Sequence, residues 1–318
     1  VDASVSKGMV SWSLRDSVEN ERYEIPPLKI MKLDLETAKS GRIPNLNYPI
    51  SKISVIIDGQ KFSLDSGTEE EKIVELVRTV QQIDPDIILT KGGDSFLFPY
   101  LVRRALVNEI SDELILDRED LPVKVARKKG AVYFSYGRTY YRPTLHRLLG
   151  RIHIDVENAF LYADCGLEGL IEVSRTCRMP IQRASHATIG TCMTSLQLYQ
   201  AVKDDVLIPW KKYEAEDFKN ALELLIADRG GFYFEPKVGL HEGVGELDYS
   251  SLYPMLMATK NLSPETVRCK CCPNSPNRVP ELGYNVCQRR AGLVPKVLQL
   301  LLKKRSDYKQ MKNEATDE

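Results

Sequence analysis

The sequence predicts a mixed α/β sheet with flanking helices, and three neighbouring patterns support this. Residues 28–35 alternate apolar and polar side chains like a half-buried strand, and residues 53–57 supply a second strand that ends at an Asp-Gly turn pair. Residues 69–83 place apolar side chains at helical spacing, and an Asp-Pro-Asp sequence separates this helix from the apolar strand 87–89. The order strand, hairpin, helix, strand is typical of a mixed sheet.

The second half of the chain contains further helices and a break between them. Helical patterns are predicted at about residues 167–175, 192–202 and 216–227. Arg229-Gly230-Gly231 interrupts these helices, and we place the main domain boundary there. Beyond it the sequence predicts a strand that ends at Phe234, a strand over residues 245–249, a cysteine-bearing loop and a helix that opens at Pro295.

The composition excludes several classes of protein. A chain of 318 residues with 43% hydrophobic and 28% charged residues is globular, not collagenous, disordered or a disulfide mini-protein. The 44 basic residues cancel the 44 acidic ones, so attraction to a polyanion depends on where the basic residues lie. No stretch approaches the roughly 18 apolar residues of a spanning helix, and we expect a cytoplasmic protein with no membrane partner.

One short segment carries a chemical signal. Residues 246–254 place Asp248 at the end of a predicted strand, before a turn of small residues and an aromatic ring. Mg²⁺ is usually held by one or two carboxylates together with substrate phosphate oxygens, and backbone N–H groups of a tight turn bind phosphate well. The alternative from the residues alone is that Asp248 caps a helix that starts near Ser251.

The longer string from Asp248 to Pro254, Asp-Tyr-Ser-Ser-Leu-Tyr-Pro, closely resembles motif A of family B DNA polymerases of the archaeal type. Residues 230–240, 261–266 and 292–305 resemble its neighbouring segments in the correct order, and the resemblance covers about residues 28–312. It implies an α/β chain with a ribonuclease H-like exonuclease domain, followed by part of a polymerase palm and the first fingers helix. The implied segments are a short N-terminal segment (1–27), the exonuclease-like domain (28–227), the palm segment with motif A (228–268), a cysteine-bearing loop (269–291) and the start of the fingers helix (292–318).

The same resemblance implies roles for five residues in a DNA-directed DNA polymerase. Asp248 matches the aspartate that binds both catalytic Mg²⁺ ions. The backbone of Ser251 and Leu252 matches the positions at which family members contact the triphosphate through their backbone. Tyr253 matches the steric gate, a ring that leaves no room for a ribose 2′-hydroxyl. Arg305 matches an arginine that binds the phosphates of the incoming nucleotide. The alternative is that Arg305 lies on a solvent-exposed helix face and binds no ligand. Eight basic residues against one acid between residues 289 and 312 predict a local basic stripe.

The polymerase implied by the resemblance is incomplete in this sequence. Only Asp307 and Asp317 follow Asp248 as aspartates, and the Asp-rich second palm motif and the lysine-bearing fingers motif are absent. We therefore expect this chain alone to be inactive, with the missing C-terminal polymerase half on a continuation or a separate subunit. The implied partners are primer-template DNA, a dNTP, that half and a sliding clamp, at the nucleoid. The alternative is a non-catalytic DNA-binding scaffold or accessory subunit derived from a polymerase.

The exonuclease-like domain has lost part of its metal site. Asp34 and Glu36 resemble the first exonuclease motif, and positions two apart on a strand share one face. Leu97, however, occupies the place of the second metal-binding aspartate, while nearby Asp94 has its own match in the family pattern. The third motif, Tyr-x-x-x-Asp, is absent after residues 150–155. We predict a domain that folds but has no 3′-to-5′ exonuclease activity.

Four of the seven cysteines cluster in the sequence: Cys269, Cys271, Cys272 and Cys287. They offer enough thiolates for a Zn²⁺ or iron–sulfur site, although the spacing is not a standard one. Some relatives carry a disulfide between positions close to Cys272 and Cys287, so a disulfide remains an alternative, as do free thiols. The four histidines lie in different segments, and we expect them to be structural or solvated.

Overall fold

The computed structural model describes residues 2–6, 8–13, 17–38, 45–124, 130–135, 137–208, 218–228, 230 and 233–315. The strands are β1 (Asp2–Ser6), β2 (Met9–Ser13), β3 (Ile30–Thr37), β4 (Ile50–Ile57), β5 (Gln60–Leu64), β6 (Ile87–Thr90), β7 (Ala131–Ser135), β8 (Arg138–Arg142) and β9 (Ile152–Asp155). The helices are α1 (Glu69–Ile83), α2 (Phe98–Val107), α3 (Phe160–Cys177), α4 (Ile181–Ala184), α5 (Ile189–Lys203), α6 (Ala221–Ala227), α7 (Leu252–Thr259) and α8 (Leu293–Glu314).

The chain divides into two compact units. One is Glu24–Met193, and the other combines Val1–Tyr23 with Thr194–Glu318. The sequence predicts a boundary at residues 229–231 instead, and two of those three residues lie outside the described part of the chain. The domain limits drawn from the resemblance therefore stay predictions.

The unit Glu24–Met193 is built on a five-stranded sheet of order β5-β4-β3-β6-β9. The pairs β3–β4 and β4–β5 are antiparallel, whereas β6 is parallel to both β3 and β9, so the predicted mixed sheet is confirmed. The β4–β5 turn has Asp58 at φ 48° and Gly59 at φ 79°. Two successive left-handed residues define the type I′ turn that the Asp-Gly pair favours in a hairpin.

Helix α1 has the bounds that the sequence predicts, because its signals agree at both ends. Thr68 and Glu71 form a capping box at its start, and Asp84 ends it in a left-handed conformation at φ 50°. Its apolar stripe packs with α2 on the face of the sheet that carries Met31 and Leu33. Each large apolar side chain buried there contributes roughly 1.5–3 kcal/mol. The opposite face of β3 is thereby left to Lys32, Asp34 and Glu36.

The second unit contains a hairpin of β1 and β2, helices α6 to α8 and most of α5. The predicted strand over residues 245–249 is wrong, since these residues form no strand and residues 241–250 are exposed. Of the strand predicted to end at Phe234, residues 231 and 232 lie outside the described part of the chain, and residues 233–234 are not in a strand. Apolar alternation predicts a strand only where another strand supplies hydrogen bonds. Helix α8 begins at Leu293, two residues before Pro295, because every position of the first turn tolerates a missing N–H.

None of the helices in the described ranges combines the length and the apolar character that a bilayer crossing requires.

Candidate functional site

The segment around Asp248 forms an exposed turn at the start of α7. The Asp248 side chain is exposed, and Ser251 takes a left-handed conformation at φ 52° as the N-cap residue of α7. No side chain of the described residues caps this helix, so the interpretation of Asp248 as a helix cap is wrong. Leu252 and Tyr253 occupy the first turn, with Tyr253 73% exposed. The carboxylate of Asp248 and the ring of Tyr253 are therefore both accessible from solvent.

Helix α8 brings a cation to this turn. Arg305 Nη1 donates a hydrogen bond of 3.2 Å to the Ser250 hydroxyl, across 55 residues of sequence. The contact is possible because α7 and α8 pack against each other. Arg305, predicted from the fingers helix, thus contacts the motif A turn at the residue that precedes Ser251. The catalytic and nucleotide-binding roles of Asp248, Ser251, Leu252, Tyr253 and Arg305 stay predictions.

The basic stripe on α8 is less positive than its sequence suggests. Three of its lysines are paired with carboxylates of the same unit, and Lys304 is 5% exposed as well as paired. The pairs are Lys296–Asp204 at 2.7 Å, Lys303–Glu19 at 3.3 Å and Lys304–Glu21 at 3.5 Å. A lysine that is paired with a carboxylate contributes less to the attraction of a polyanion. The stripe therefore presents fewer unpaired positive charges than predicted.

The four clustered cysteines converge in space, although the sequence separates Cys287 from the others. The ligand atoms of Cys269, Cys271, Cys272 and Cys287 lie within 4.8 Å of one another. All four are free thiols in the structure, which does not form the disulfide considered from relatives. Burial raises the pKa of Cys287, but backbone N–H groups of Arg289 and Arg290 and the neighbouring thiols outweigh this and lower it to about 6. The group can therefore present a thiolate to a metal ion near neutral pH.

Asp34 and Glu36 lie on the same exposed face of β3, as their spacing predicts. Asp34 borders a cleft of about 300 Å³, which we call the β3 cleft. It is lined by Lys32, Leu33, Asp34, Ser54, Ile56, Leu89, Thr90, Lys91, Val156 and Tyr162. Asp34 is the one carboxylate among these lining residues, which also include Lys32 and Lys91, and Lys91 is paired with Glu157 at 3.8 Å. Sequence reasoning missed both lysines, although Lys32 shares the strand face of Asp34 and Lys91 directly follows β6.

Leu97 lies in the core, 1% exposed, at the end of a π-helical turn formed by Gly93–Leu97. Asp94 in the same turn is also buried, and it points into a group of three histidines that the sequence did not bring together. Burial raises the pKa of Asp94, but the adjacent His146 and His186 rings and hydrogen bonds from the His146 backbone N–H and the Asn158 amide outweigh this and hold it far below its usual value. Asp94 is therefore held by partners within the core of this unit and is not among the residues that line the β3 cleft.

The histidines around Asp94 are structural, as expected. The Asp94 carboxylate accepts a hydrogen bond of 2.7 Å from the backbone N–H of His146, and it lies 3.4 Å from Nε2 of His186 and 3.7 Å from Nδ1 of His153. Burial lowers the pKa of His153. The fourth histidine, His241, is exposed.

The fold and these two regions define a class of protein that joins an exonuclease-type domain to the beginning of a nucleic-acid polymerase domain. The family model described as "DNA polymerase family B, exonuclease domain" matches residues 3–160, and the model described as "DNA polymerase family B" matches residues 179–318. The chain belongs to DNA polymerase family B.

Archaeal relatives agree with this assignment. The chain is 26% identical over 348 residues to a DNA polymerase of Pyrococcus horikoshii, an alignment that covers 94% of this chain and 28% of the relative. It is 26% identical to a DNA polymerase of Archaeoglobus fulgidus, with 92% of this chain and 41% of the relative covered. The chain therefore spans less than half the length of these relatives.

A solved structure shows the same fold. The family B DNA polymerase of Pyrobaculum calidifontis matches with a TM-score of 0.62 and 22% identity, over 93% of this chain and 44% of that chain. The predicted fold class, an exonuclease domain followed by part of a polymerase, is thus confirmed.

Proposed function

We propose that the chain is the N-terminal portion of a template-directed DNA polymerase, which extends a primer by nucleotidyl transfer. The observation that carries this proposal is the contact between Arg305 and Ser250 beside the exposed Asp248. This contact supports the proposal, because it brings a cation suited to phosphate to a residue two positions after Asp248, a carboxylate suited to Mg²⁺.

Each residue of this turn, together with Arg305 on α8, has a distinct task in the proposed reaction. Asp248 holds Mg²⁺, which when bound neutralises charge that develops on the phosphoryl oxygens. The backbone at Ser251 and Leu252 is suited to donate N–H groups to the triphosphate. Arg305 binds phosphate oxygens through its planar fork of donors. The ring of Tyr253 excludes a ribose 2′-hydroxyl by collision.

The completing part of the enzyme comes from outside these 318 residues. Two-metal catalysis needs more carboxylates than Asp248 alone can supply. The chain also spans only 28% to 41% of the two archaeal relatives described above. We infer that a C-terminal polymerase half, on a continuation or a separate subunit, supplies the remaining ligands. Primer-template DNA and dNTP are then the substrates, a sliding clamp is a candidate partner, and the template places the enzyme at the nucleoid in the cytoplasm.

We propose that the exonuclease-type domain does not hydrolyse DNA. The β3 cleft offers a single lining carboxylate, Asp34, beside Lys32 and beside Lys91, which is paired with Glu157 at 3.8 Å, and one carboxylate does not hold two divalent metals. The buried Leu97 supplies no ligand. We infer that the domain still helps to shape the DNA channel without cleaving the strand.

Primer extension separates the polymerase from the scaffold alternative. The isolated chain and the chain combined with its completing C-terminal half are each incubated with primer-template, dNTPs and Mg²⁺. We expect extension only in the combined sample. Extension by the isolated chain would contradict the proposal that the active site is divided between this chain and the C-terminal half. DNA binding without extension in the combined sample would select a non-catalytic scaffold.

A further inference from the structure

We propose that Cys269, Cys271, Cys272 and Cys287 bind one Zn²⁺ ion as a tetrathiolate, and that this ion joins the end of α7 to the start of α8. The site lies in the loop between these helices and is separate from the carboxylate of Asp248. The inference goes beyond the proposed polymerase function, since it concerns a structural ion and does not depend on catalysis.

The sulfur positions match a single tetrahedral ion. The Sγ–Sγ distances are 3.5 Å for Cys271–Cys287, 3.8 Å for Cys271–Cys272 and 3.9 Å for Cys272–Cys287. A Zn–S bond of about 2.3 Å places the sulfurs of a regular tetrahedron about 3.8 Å apart. Cys269 belongs to the same group, in which every pair of ligand atoms lies within 4.8 Å.

The same distances disfavour the other two chemistries. The thiolates of an iron–sulfur cluster bind different irons, so they must stand further apart than the corners of one tetrahedron. A disulfide would join only two of the four sulfurs and needs a separation near 2.05 Å. Four soft thiolates around one centre are instead typical of zinc.

The surrounding backbone already holds the cysteines in place. The Asn285 side-chain amide donates hydrogen bonds to the carbonyl oxygens of Cys269 and Cys272, at 3.0 and 2.8 Å. The N–H of Cys287 donates to the carbonyl of Thr266 at 2.9 Å. The backbone N–H groups of Arg289 and Arg290 also donate hydrogen bonds to the Cys287 sulfur. Such outer hydrogen bonds orient metal ligands and offset the negative charge of a tetrathiolate.

Asn261 connects the cysteine group to both helices. It follows α7, and its side-chain Nδ2 donates to the carbonyl oxygens of Cys287 and Arg290, both at 2.9 Å. Its Oδ1 accepts a hydrogen bond of 2.8 Å from the N–H of Gly292, the N-cap residue of α8. An ion that fixes Cys287 therefore fixes the first turn of α8, the helix that carries Arg305.

Metal analysis of the 318-residue chain tests the proposal. The chain is purified anaerobically from cells supplied with both zinc and iron, and metals are measured per chain. We expect about one zinc and little iron. Replacement of the zinc by Co²⁺ should give thiolate-to-metal charge transfer in the near ultraviolet and the visible bands of tetrahedral cobalt. Removal of zinc by a chelator should lower the melting temperature, and added Zn²⁺ should restore it.

Single substitutions identify the ligands. Cys271→Ser and Cys272→Ser should each weaken zinc binding by about 10- to 100-fold or more, whereas Cys165→Ser, an exposed cysteine of the other unit, should leave it unchanged. The cobalt spectrum of the unsubstituted chain keeps the test decisive if a variant does not fold. Iron with acid-labile sulfide, a single iron in place of zinc, a disulfide among the four cysteines, or no charge-transfer band with Co²⁺ would each overturn the proposal.

Discussion

Arg305 on α8 donates a hydrogen bond of 3.2 Å to the hydroxyl of Ser250, in the turn that follows Asp248. Two segments that lie 55 residues apart in sequence therefore meet at the proposed nucleotide site. A guanidinium that already reaches this turn needs little rearrangement to bind a phosphate there. The following predictions depend on this arrangement, on the β3 cleft and on the buried surroundings of Asp94.

Replacement of Arg305 should weaken nucleotide binding. In the enzyme completed by its C-terminal half, Arg305→Ala should raise the KM for dNTP about 10- to 100-fold, because a hydrogen bond to a charged phosphate contributes roughly 1.5–3 kcal/mol. Arg305→Lys should recover part of this loss. Lys309→Ala on the same helix is the control, and steady-state kinetics at saturating DNA give the comparison. An unchanged KM in Arg305→Ala would support the solvated helix face instead.

Removal of the Tyr253 ring should relax the choice of sugar. Tyr253→Ala should raise ribonucleotide incorporation relative to deoxyribonucleotide by about tenfold or more, because the collision with the 2′-hydroxyl is lost. Competition between a dNTP and the matching rNTP in a primer-extension assay measures this ratio. Tyr249→Ala, at an exposed tyrosine of the same turn, should leave the ratio unchanged. An equal ratio of ribonucleotide to deoxyribonucleotide incorporation in the two variants would show that Tyr253 is not a steric gate.

The β3 cleft should not degrade DNA. A 5′-labelled single strand incubated with the chain and Mg²⁺ or Mn²⁺ should show no shortening that depends on Asp34. The physical reason is that Asp34 is the single carboxylate lining the cleft, and one carboxylate does not gather two metal ions. Degradation that Asp34→Ala abolishes, and that Asp65→Ala at an exposed position preserves, would show that the domain still cleaves.

The buried Asp94 should make the unit Glu24–Met193 sensitive to acid. Its pKa is lowered in the folded state, so its stabilisation is complete above its ordinary pKa of about 3.9 and is lost as the pH falls further. Burial lowers the pKa of His153, whose contribution is complete above about pH 6.5 and decreases below it. The imidazole rings of His146 and His186 also face the carboxylate. We therefore expect the free energy of unfolding to decline on acidification from about pH 6.5.

Urea unfolding of Asp94→Asn measures this contribution. The variant should lose roughly 3 kcal/mol at neutral pH, because the carboxylate accepts hydrogen bonds in a buried place. It should also lose less stability than the unsubstituted chain between about pH 4 and pH 3. Asp65→Asn, at an exposed aspartate, is the control. A variant with the same stability and the same pH dependence as the unsubstituted chain would contradict the role given to Asp94.

Local signals made part of the fold predictable. Helix α1 agrees with its prediction because its apolar spacing, its capping box and its Asp-Pro-Asp ending all indicate the same bounds. The β4–β5 hairpin follows from an Asp-Gly pair that tolerates left-handed backbone. Helix α3 begins seven residues before the predicted helix at residue 167, and it contains a break at Gly166, where φ is 65°. Its first turns carry a weaker periodic signal than α1.

Features that depend on distant contacts could not be predicted from local patterns. Residues 245–249 have the alternation of a strand, but a strand also needs a partner, and the described chain provides none. The group around Asp94 gathers His146, His153 and His186 from separate segments, so no spacing rule reveals it. The pairing of α8 lysines with Glu19, Glu21 and Asp204 likewise joins residues far apart in sequence.

Single-turnover primer extension by the Asp248→Asn variant, completed by the C-terminal half, tests the central claim most directly. Loss of a metal ligand removes several kcal/mol of charge stabilisation, so we predict a rate lower by on the order of 10³-fold or more. Glu246→Gln, which changes an exposed carboxylate two positions earlier, should extend the primer at the unsubstituted rate. Equal rates in the two variants would show that Asp248 is not the metal-binding carboxylate of this polymerase.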